Sequence, residues 1–238
     1  MIIDFHSHIL PAADHGSDGV TTTAAQLQLM HEAGTDAVVM TPHFYPNHTT
    51  LPAFLAKRDA SARALAAMDR PATPRLYLGA EVLVCPGLQE MEGLEKLAIV
   101  GTNVILLEMP FRKWDRTIIE TVLEIRERGL CPVLAHIDRY PPEGVHSLLR
   151  AGLLAQLNAE GLAGTLAYLR NRKYLDTGTV VALGSDLHGA ERGGYKQFLR
   201  AKARLGKKAD DIFSRTAALL QNALPLEEIT KILQTTTK

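Results

Sequence analysis

Only two cysteines, Cys85 and Cys131, occur in the 238 residues, and both sit in or beside apolar runs. A disulfide-built scaffold needs more cysteines in a shorter chain, so both read as reduced, half-buried thiols. An excess of one charge is missing too, since 26 Lys plus Arg balance 26 Asp plus Glu. That balance exerts no general pull on nucleic acid or anionic lipid. No apolar stretch reaches the roughly 18 residues of a membrane span. Asp4 and two histidines interrupt the first run, which therefore does not read as a secretion signal. The expectation is a cytoplasmic protein with no membrane insertion and no nucleic-acid partner; a homo-oligomer is left open. No Ser/Gly-rich or charged linker divides the chain, and 46% apolar content suffices for one large core. One domain over residues 1–238 is expected.

What is present is an alternation. Short apolar runs at 2–5, 37–40, 76–84, 104–107, 132–134, 154–157 and 180–183 are separated by amphipathic stretches. Most of the runs are continuously apolar, as strands buried on both faces are, which favours a parallel sheet covered by helices. Helical patterns cover 22–33, 51–68, 116–128, 145–151 and 161–171, and the chain is helical again from Tyr195 with a break at Leu224-Pro225. Gly34, Gly129 and Gly152 stand where a helix C-terminus favours a left-handed residue. Seven strand–helix units fit an α/β fold, a single (βα)7 TIM-like barrel, with an open doubly wound sheet as the competing arrangement.

The polar residues fall at one end of these runs. The first ends in His6-Ser7-His8, the second in His43 and the third in Glu81. The fourth ends in Glu108, the fifth in His136 with Arg139 beyond it, and the seventh in Asp186-Leu187-His188. In a parallel barrel all these ends open on one face, the face that carries active sites. A single His or Glu at a strand end is most often a hydrogen-bonded structural residue. A whole set converging on one rim would repel or stay unsatisfied without cations. His6-x-His8 and Asp186-x-His188 each place two side chains on the same side of an extended strand, and Asp4 shares that side as a supporting residue. The donors are nitrogen and oxygen without thiolate, a set that Mn2+, Zn2+, Fe2+ and Co2+ accept. About eight donors exceed the needs of one ion, so two or three are expected, with Glu81 able to bridge two.

Paired cations activate hydroxide and clamp the oxygens of a phosphoester, and they also hydrolyse amides. Arg139 and Arg192 are within reach of the same face, and guanidinium forks match phosphate oxygens. The alternative for each is a surface arginine, or one paired with Asp138 or Glu191. Phe44, Tyr45, Trp114 and Tyr140 follow strand ends and either line an aryl-accepting rim or pack on neighbours. No Cys-x5-Arg loop is present, which argues against a cysteinyl-phosphate mechanism. Hydrolysis of a small phosphoester, a nucleic-acid end or an amide, and a non-enzymatic binding role, are the competing readings.

The ordered series "HSH", "TPH", "GAE", "LAH" and "SDLH" resembles the polymerase and histidinol phosphatase (PHP) superfamily. Within it, "DFHSHILPAADHGSD", "ILLEMPF", "AHIDRY" and "LNAEGLAG" are similar to the CpsB-type manganese-dependent tyrosine phosphatases of bacterial capsule and exopolysaccharide operons. HxH alone is a weak signal, but the ordered series covers nearly the whole chain. The resemblance implies that the (βα)7 TIM-like barrel is distorted, of the PHP type, and that the site is trinuclear, with manganese first and iron, zinc or cobalt as alternatives. It assigns metal binding to His6, His8, His43, Glu81, Glu108, His136, Asp186 and His188, and phosphate contacts to Arg139 and Arg192. It also implies a phosphotyrosyl protein partner, a bacterial tyrosine kinase that controls polysaccharide export. Three departures stand out. Asp14-His15-Gly16 replaces the family's two adjacent Asp, putting His15 at a ligand position with Asp14 as the alternative. "HIDRY" lacks the usual Pro, and Arg192 lies four rather than five residues past His188.

Overall fold

A computed structural model describes residues 1–70, 72, 74–111, 114–190 and 192–235, with only the backbone described for residues 192–194. Nine strands and nine α-helices lie along the described chain, with two or more of one kind in succession at several places. β1 (Ile3–Ser7) leads to α1 (Val20–Glu32), and β2 (Ala37–Met40) and β3 (His43–Phe44) lead to α2 (Leu51–Ala66). β4 (Arg75–Leu78) and β5 (Glu81–Leu83) precede two short 3-10 turns, and β6 (Val104–Glu108) precedes α3 (Arg116–Glu127). β7 (Cys131–Leu134) is followed by α4 (Pro142–Arg150), and β8 (Leu154–Asn158) by α5 (Glu160–Ala163) and α6 (Thr165–Leu175). β9 (Val180–Gly184) leads into α7 (Arg192–Leu205), α8 (Lys207–Leu219) and α9 (Leu226–Thr235).

All the pairings between these strands are parallel, in two sheets ordered β1-β2-β4 and β3-β5-β6-β7-β8-β9. The expectation of seven strands is corrected here. The third apolar run is two strands, broken at Gly79-Ala80, and the second run continues past Thr41-Pro42 as β3. One break has a local cause and the other a distant one. Pro42 has no N–H to give to a ladder. A Cβ at Gly79 would lie 3.2 Å from the Ile99 side chain, so the backbone passes close there. The two sheets remain linked, since Gly79 N–H donates to Met40 O at 2.9 Å and Glu81 N–H to Pro42 O at 3.0 Å. At the other side, Asp186 N–H donates to His6 O at 2.8 Å and His8 N–H to Leu187 O at 3.2 Å.

The strands are buried as their composition requires. β2, β6 and β9 are covered along their whole length, and the core is one cluster of Val, Ile, Leu and aromatic side chains. Helix ends follow the expected chemistry. Thr50 and Asp115 cap α2 and α3 by accepting from Ala53 N and Ile118 N, and Gly34 and Gly129 adopt positive φ just past α1 and α3. Two helical expectations are corrected. The 161–171 stretch is divided at Gly164, and the C-terminal region has a further break at Gly206, whose φ of 53° ends α7. Cys85 and Cys131 are free and half-buried.

Candidate metal centre

Register brings the strand ends together. In the β3–β5 pair His43 stands opposite Glu81, and in the β5–β6 pair Leu83 stands opposite Glu108. His6 Nε2 and His8 Nε2, on the same face of β1 and beyond it, approach to 3.0 Å. Glu81 Oε2 lies 3.2 Å from His6 Nε2, 3.3 Å from His8 Nε2 and 2.8 Å from His43 Nδ1. Asp186 Oδ1 lies 3.6 Å from His6 Nε2 and 3.3 Å from His8 Nε2. His136 Nε2 meets the other oxygen of Glu81 at 2.8 Å. The His188 ring is 4.2 Å from that of His8, and the His15 ring lies 4.9 Å from that of His43 and 4.6 Å from that of His188. Thus eight of the nine residues expected as ligands are joined by these distances, and Glu108 joins them through a His43–Glu81–Glu108 group of donor atoms within 4.8 Å.

The donor atoms fit a cation better than they fit one another. His43 Nδ1 and Glu81 Oε2 are 2.8 Å apart, yet neither has a partner at hydrogen-bond geometry. Glu108 Oε2, His136 Nδ1 and His188 Nε2 are also buried and unpartnered. Such atoms forfeit their hydration unless something else satisfies them. Ligands held about 2.0–2.1 Å from a tetrahedral ion stand about 3.3 Å from each other. Five of the six separations among His6 Nε2, His8 Nε2, Glu81 Oε2 and Asp186 Oδ1 are 3.0, 3.2, 3.3, 3.6 and 3.3 Å. That is the spacing of a first coordination shell.

Electrostatics point the same way. Burial pushes the Glu81 carboxyl up, but the imidazoles of His6, His136 and His43 outweigh it and hold the group well below the usual carboxylate range. Asp186 is likewise held low, against burial, by His6, His8 and Arg139. Glu108 goes the other way, to about 7, through burial and the neighbouring Glu81 charge. His188 is pushed down to about 4 by burial and by His8. His6 and His8 are raised, against burial, by the carboxylates beside them, whereas His43 and His188 are lowered first by burial.

Buried polar residues aim the imidazoles. Asp14 Oδ2 accepts from His8 Nδ1 at 2.7 Å and from His43 N at 2.9 Å, while its Oδ1 accepts from Gly16 N. Both Asp14 oxygens are therefore engaged, and His15 is the loop residue whose ring faces the cluster. Gln156 Oε1 accepts from His136 N at 2.7 Å and lies 3.3 Å from His6 Nδ1. Its amide donates to Asn158 Oδ1, and Asn158 in turn donates to Asp186 Oδ2 at 3.0 Å. Gln26 ties the two ligand loops by donating to Gly16 O and Gly189 O. Asp4 is fully buried, but it holds Ser185 N at 2.8 Å rather than an imidazole. His136 and Asp186 adopt φ of 31° and 52°, rare for residues with a side chain and concentrated at functional sites. Glycines let the backbone close in: a Cβ on Gly16 would lie 2.0 Å from His8 Cβ, and one on Gly184 2.5 Å from His6 Cβ.

Several sequence expectations resolve here. Arg139 pairs with Asp186 Oδ2 at 2.8 Å instead of with Asp138, whose carboxylate accepts from Asn158 N. The side chain of Arg192, like residue Glu191, lies outside the described residues. Of the four aromatics named for a rim, Phe44, Trp114 and Tyr140 are in the core, where Tyr140 OH accepts from Met109 N and Trp114 Nε1 donates to Pro110 O. Tyr45 stands at the site, 5.0 Å from the His43 ring, and the buried Tyr140 ring lies 5.4 Å from that of His136. Gln156, Asn158, Gln26 and Phe111 were missed. The signal for two of them was present: "LAQLN" carries a polar pair at i and i+2 at the end of the sixth run, the same pattern as "HSH".

Fold and site together define an α/β protein whose parallel strands deliver a cluster compatible with metal binding to one end. Residues 2–224 match the family described as capsular polysaccharide synthesis, CpsB/CapC, and the chain belongs to that family. It is 27% identical over 174 residues to the tyrosine-protein phosphatase YwqE of Bacillus subtilis, a match spanning 68% of this chain and 66% of that relative. It is 27% identical over 233 residues to the tyrosine-protein phosphatase CpsB of Streptococcus pneumoniae, across 89% and 95% of the two chains. A solved structure from work on YwqE of B. subtilis and CpsB of S. pneumoniae, described as unique metal-dependent tyrosine phosphatases, has a TM-score of 0.77. It is 21% identical and covers 94% of this chain and 96% of that one.

Proposed function

We propose that the chain is a metal-dependent phosphomonoester hydrolase that removes phosphate from tyrosine in a protein, such as a capsule-biosynthesis tyrosine kinase. The observation that carries the reading is the shell of nitrogen and oxygen donors 3.0–3.6 Å apart, part of it unpartnered, at the end of the parallel strands. The named relatives, two of them tyrosine-protein phosphatases, support the substrate class. We read the nine strands as seven positions of one distorted (βα)7 TIM-like barrel and residues 1–238 as one domain working in the cytoplasm.

When bound, two or three divalent ions, manganese first among them, make a nucleophile of water near neutral pH and offset charge on phosphoryl oxygens. His6, His8, His15, His43, Glu81, Glu108, His136, Asp186 and His188 would hold them. Asp14 and Gln156 accept from the Nδ1 atoms of His8 and His6, which keeps each Nε2 lone pair turned to the centre. Glu81, with imidazoles at both oxygens, would be a ligand at the middle of the set. Arg139 spends one N–H on Asp186 and keeps others for phosphate oxygens, and Arg192 is proposed as the second phosphate contact. A phenolate leaving group, with an unperturbed pKa of about 10, needs less protonation than an alkoxide.

The test is elemental analysis of the purified protein alongside hydrolysis of a phosphotyrosyl peptide with and without chelator. Expected are at least two equivalents of transition metal and turnover that chelation abolishes and metal restores. A protein that takes up no metal, or an activity indifferent to chelation, overturns the reading.

A further inference from the structure

Large apolar side chains are buried almost everywhere in this molecule, and the exceptions among the described residues include a single aromatic ring, Phe111, which is 67% exposed. It sits three residues past Glu108, at the mouth of the cluster. Its ring lies 6.2 Å from that of His136 at an interplanar angle of 12°, and 5.6 Å from that of Tyr140. The rings beneath it are fixed. Tyr140 is buried, hydrogen-bonded to Met109 N, and edge-on to the buried Trp114 at 5.3 Å. Phe111 is therefore an outward ring mounted on a rigid aromatic base, beside an imidazole whose Nε2 contacts Glu81. An exposed phenyl group forgoes the burial that would otherwise stabilise it, so its position beside the cluster needs another account.

We propose that Phe111 is the specificity-determining residue for aryl phosphates: its free face takes the phenyl ring of the phosphotyrosine side chain while the phosphoryl group lies at the donor cluster. The inference rests on the phosphatase reading above and deepens it. Aromatic pairs prefer offset or edge-to-face arrangements at 4.5–7 Å between centroids, and Phe111 has already adopted such spacing toward two neighbours. A serine or threonine phosphate has no ring to offer, so the contact discriminates by side-chain type without touching the phosphate.

The experiment compares wild type with Phe111→Ala, Phe111→Leu and Phe111→Trp on matched phosphotyrosyl and phosphoseryl peptides, with metal content measured for each. The expected result is that Ala and Leu raise KM for the phosphotyrosyl peptide about threefold to tenfold. The preference over phosphoserine falls by the same factor, kcat stays within about twofold, metal content does not change, and Trp restores the preference. Leu keeps apolar bulk and lacks the ring, so it separates stacking from simple hydrophobic cover. Equal losses on both peptides, or an unchanged KM, overturn the proposal while leaving the phosphatase reading in place. A metal-loaded wild type that turns over neither peptide overturns that reading and this one with it.

Discussion

Replacing Gln156 with Leu tests how much of the centre depends on a residue that touches no metal. Gln156 is fully buried and engages three groups: it accepts from His136 N at 2.7 Å, faces His6 Nδ1 at 3.3 Å and donates to Asn158 Oδ1 at 2.8 Å. Leucine has similar bulk and offers none of these. The His136 N–H is then left buried without an acceptor, at about 1–3 kcal/mol, and the other two contacts were worth about 0.5–1.5 kcal/mol each. A total of about 2–6 kcal/mol lowers Tm by roughly 4–24 °C in a chain of this size. The second effect is on metal. His6 loses the group that turns its Nε2 inward, and loss of such an outer partner costs about 10–100-fold in metal affinity. Chelator competition followed by elemental analysis reads the affinity, and thermal unfolding with and without metal reads the stability. A folded Q156L protein with wild-type affinity, within about twofold, would refute the assignment of Gln156 as the positioning residue for His6 and His136.

Two further expectations follow from the same geometry. Arg139→Ala should lower kcat/KM on a phosphotyrosyl peptide by about 10²–10³-fold, the range for removing one donor to a developing oxyanion, with metal content retained; normal turnover would show Arg139 to be only the partner of Asp186. His15→Asp should raise the share of manganese over zinc bound from an equimolar mixture, because a carboxylate suits the harder ion and an imidazole the later one. Elemental analysis of the two proteins checks it, and an unchanged ratio would mean that His15 is not a ligand.

The proton balance of the centre shows why these effects are coupled. Glu81 and Glu108 share a neighbourhood, and burial together with the Glu81 charge raises Glu108 to about 7. Two buried carboxylates so close cannot both be anionic without nearby positive charge. His6 and His8 lie on the Glu81 side, whereas Glu108 Oε2 has no partner. Among the proposed ligands, Glu108 is therefore the one whose state would depend most directly on a cation.

Much of this was legible in one dimension. Continuous apolar runs announced buried parallel strands, because a strand covered on both faces has no polar side to show. His6, His43, Glu81, Glu108, His136 and Asp186 were recognisable because each ends such a run, and strand ends share a face whatever the details of the loops. Local chemistry also marked Gly34, Gly129 and Gly152 as the residues just past helix ends. What the linear chain could not decide were facts of approach between distant segments. The break at Gly79 depends on Ile99, and the strand count changed with it. Arg139 chose Asp186 over the adjacent Asp138 because the latter was already taken by Asn158 N. Asp14 orients His8 rather than facing the centre, and this required His43 N to arrive from another strand. Phe111 and Trp114, three residues apart, differ only in that one found a pocket and the other did not. The pattern of side chains along each strand is set by backbone geometry and can be read locally; which donors meet, and which ring stays in water, is set by packing that exists only once all the strands have come together.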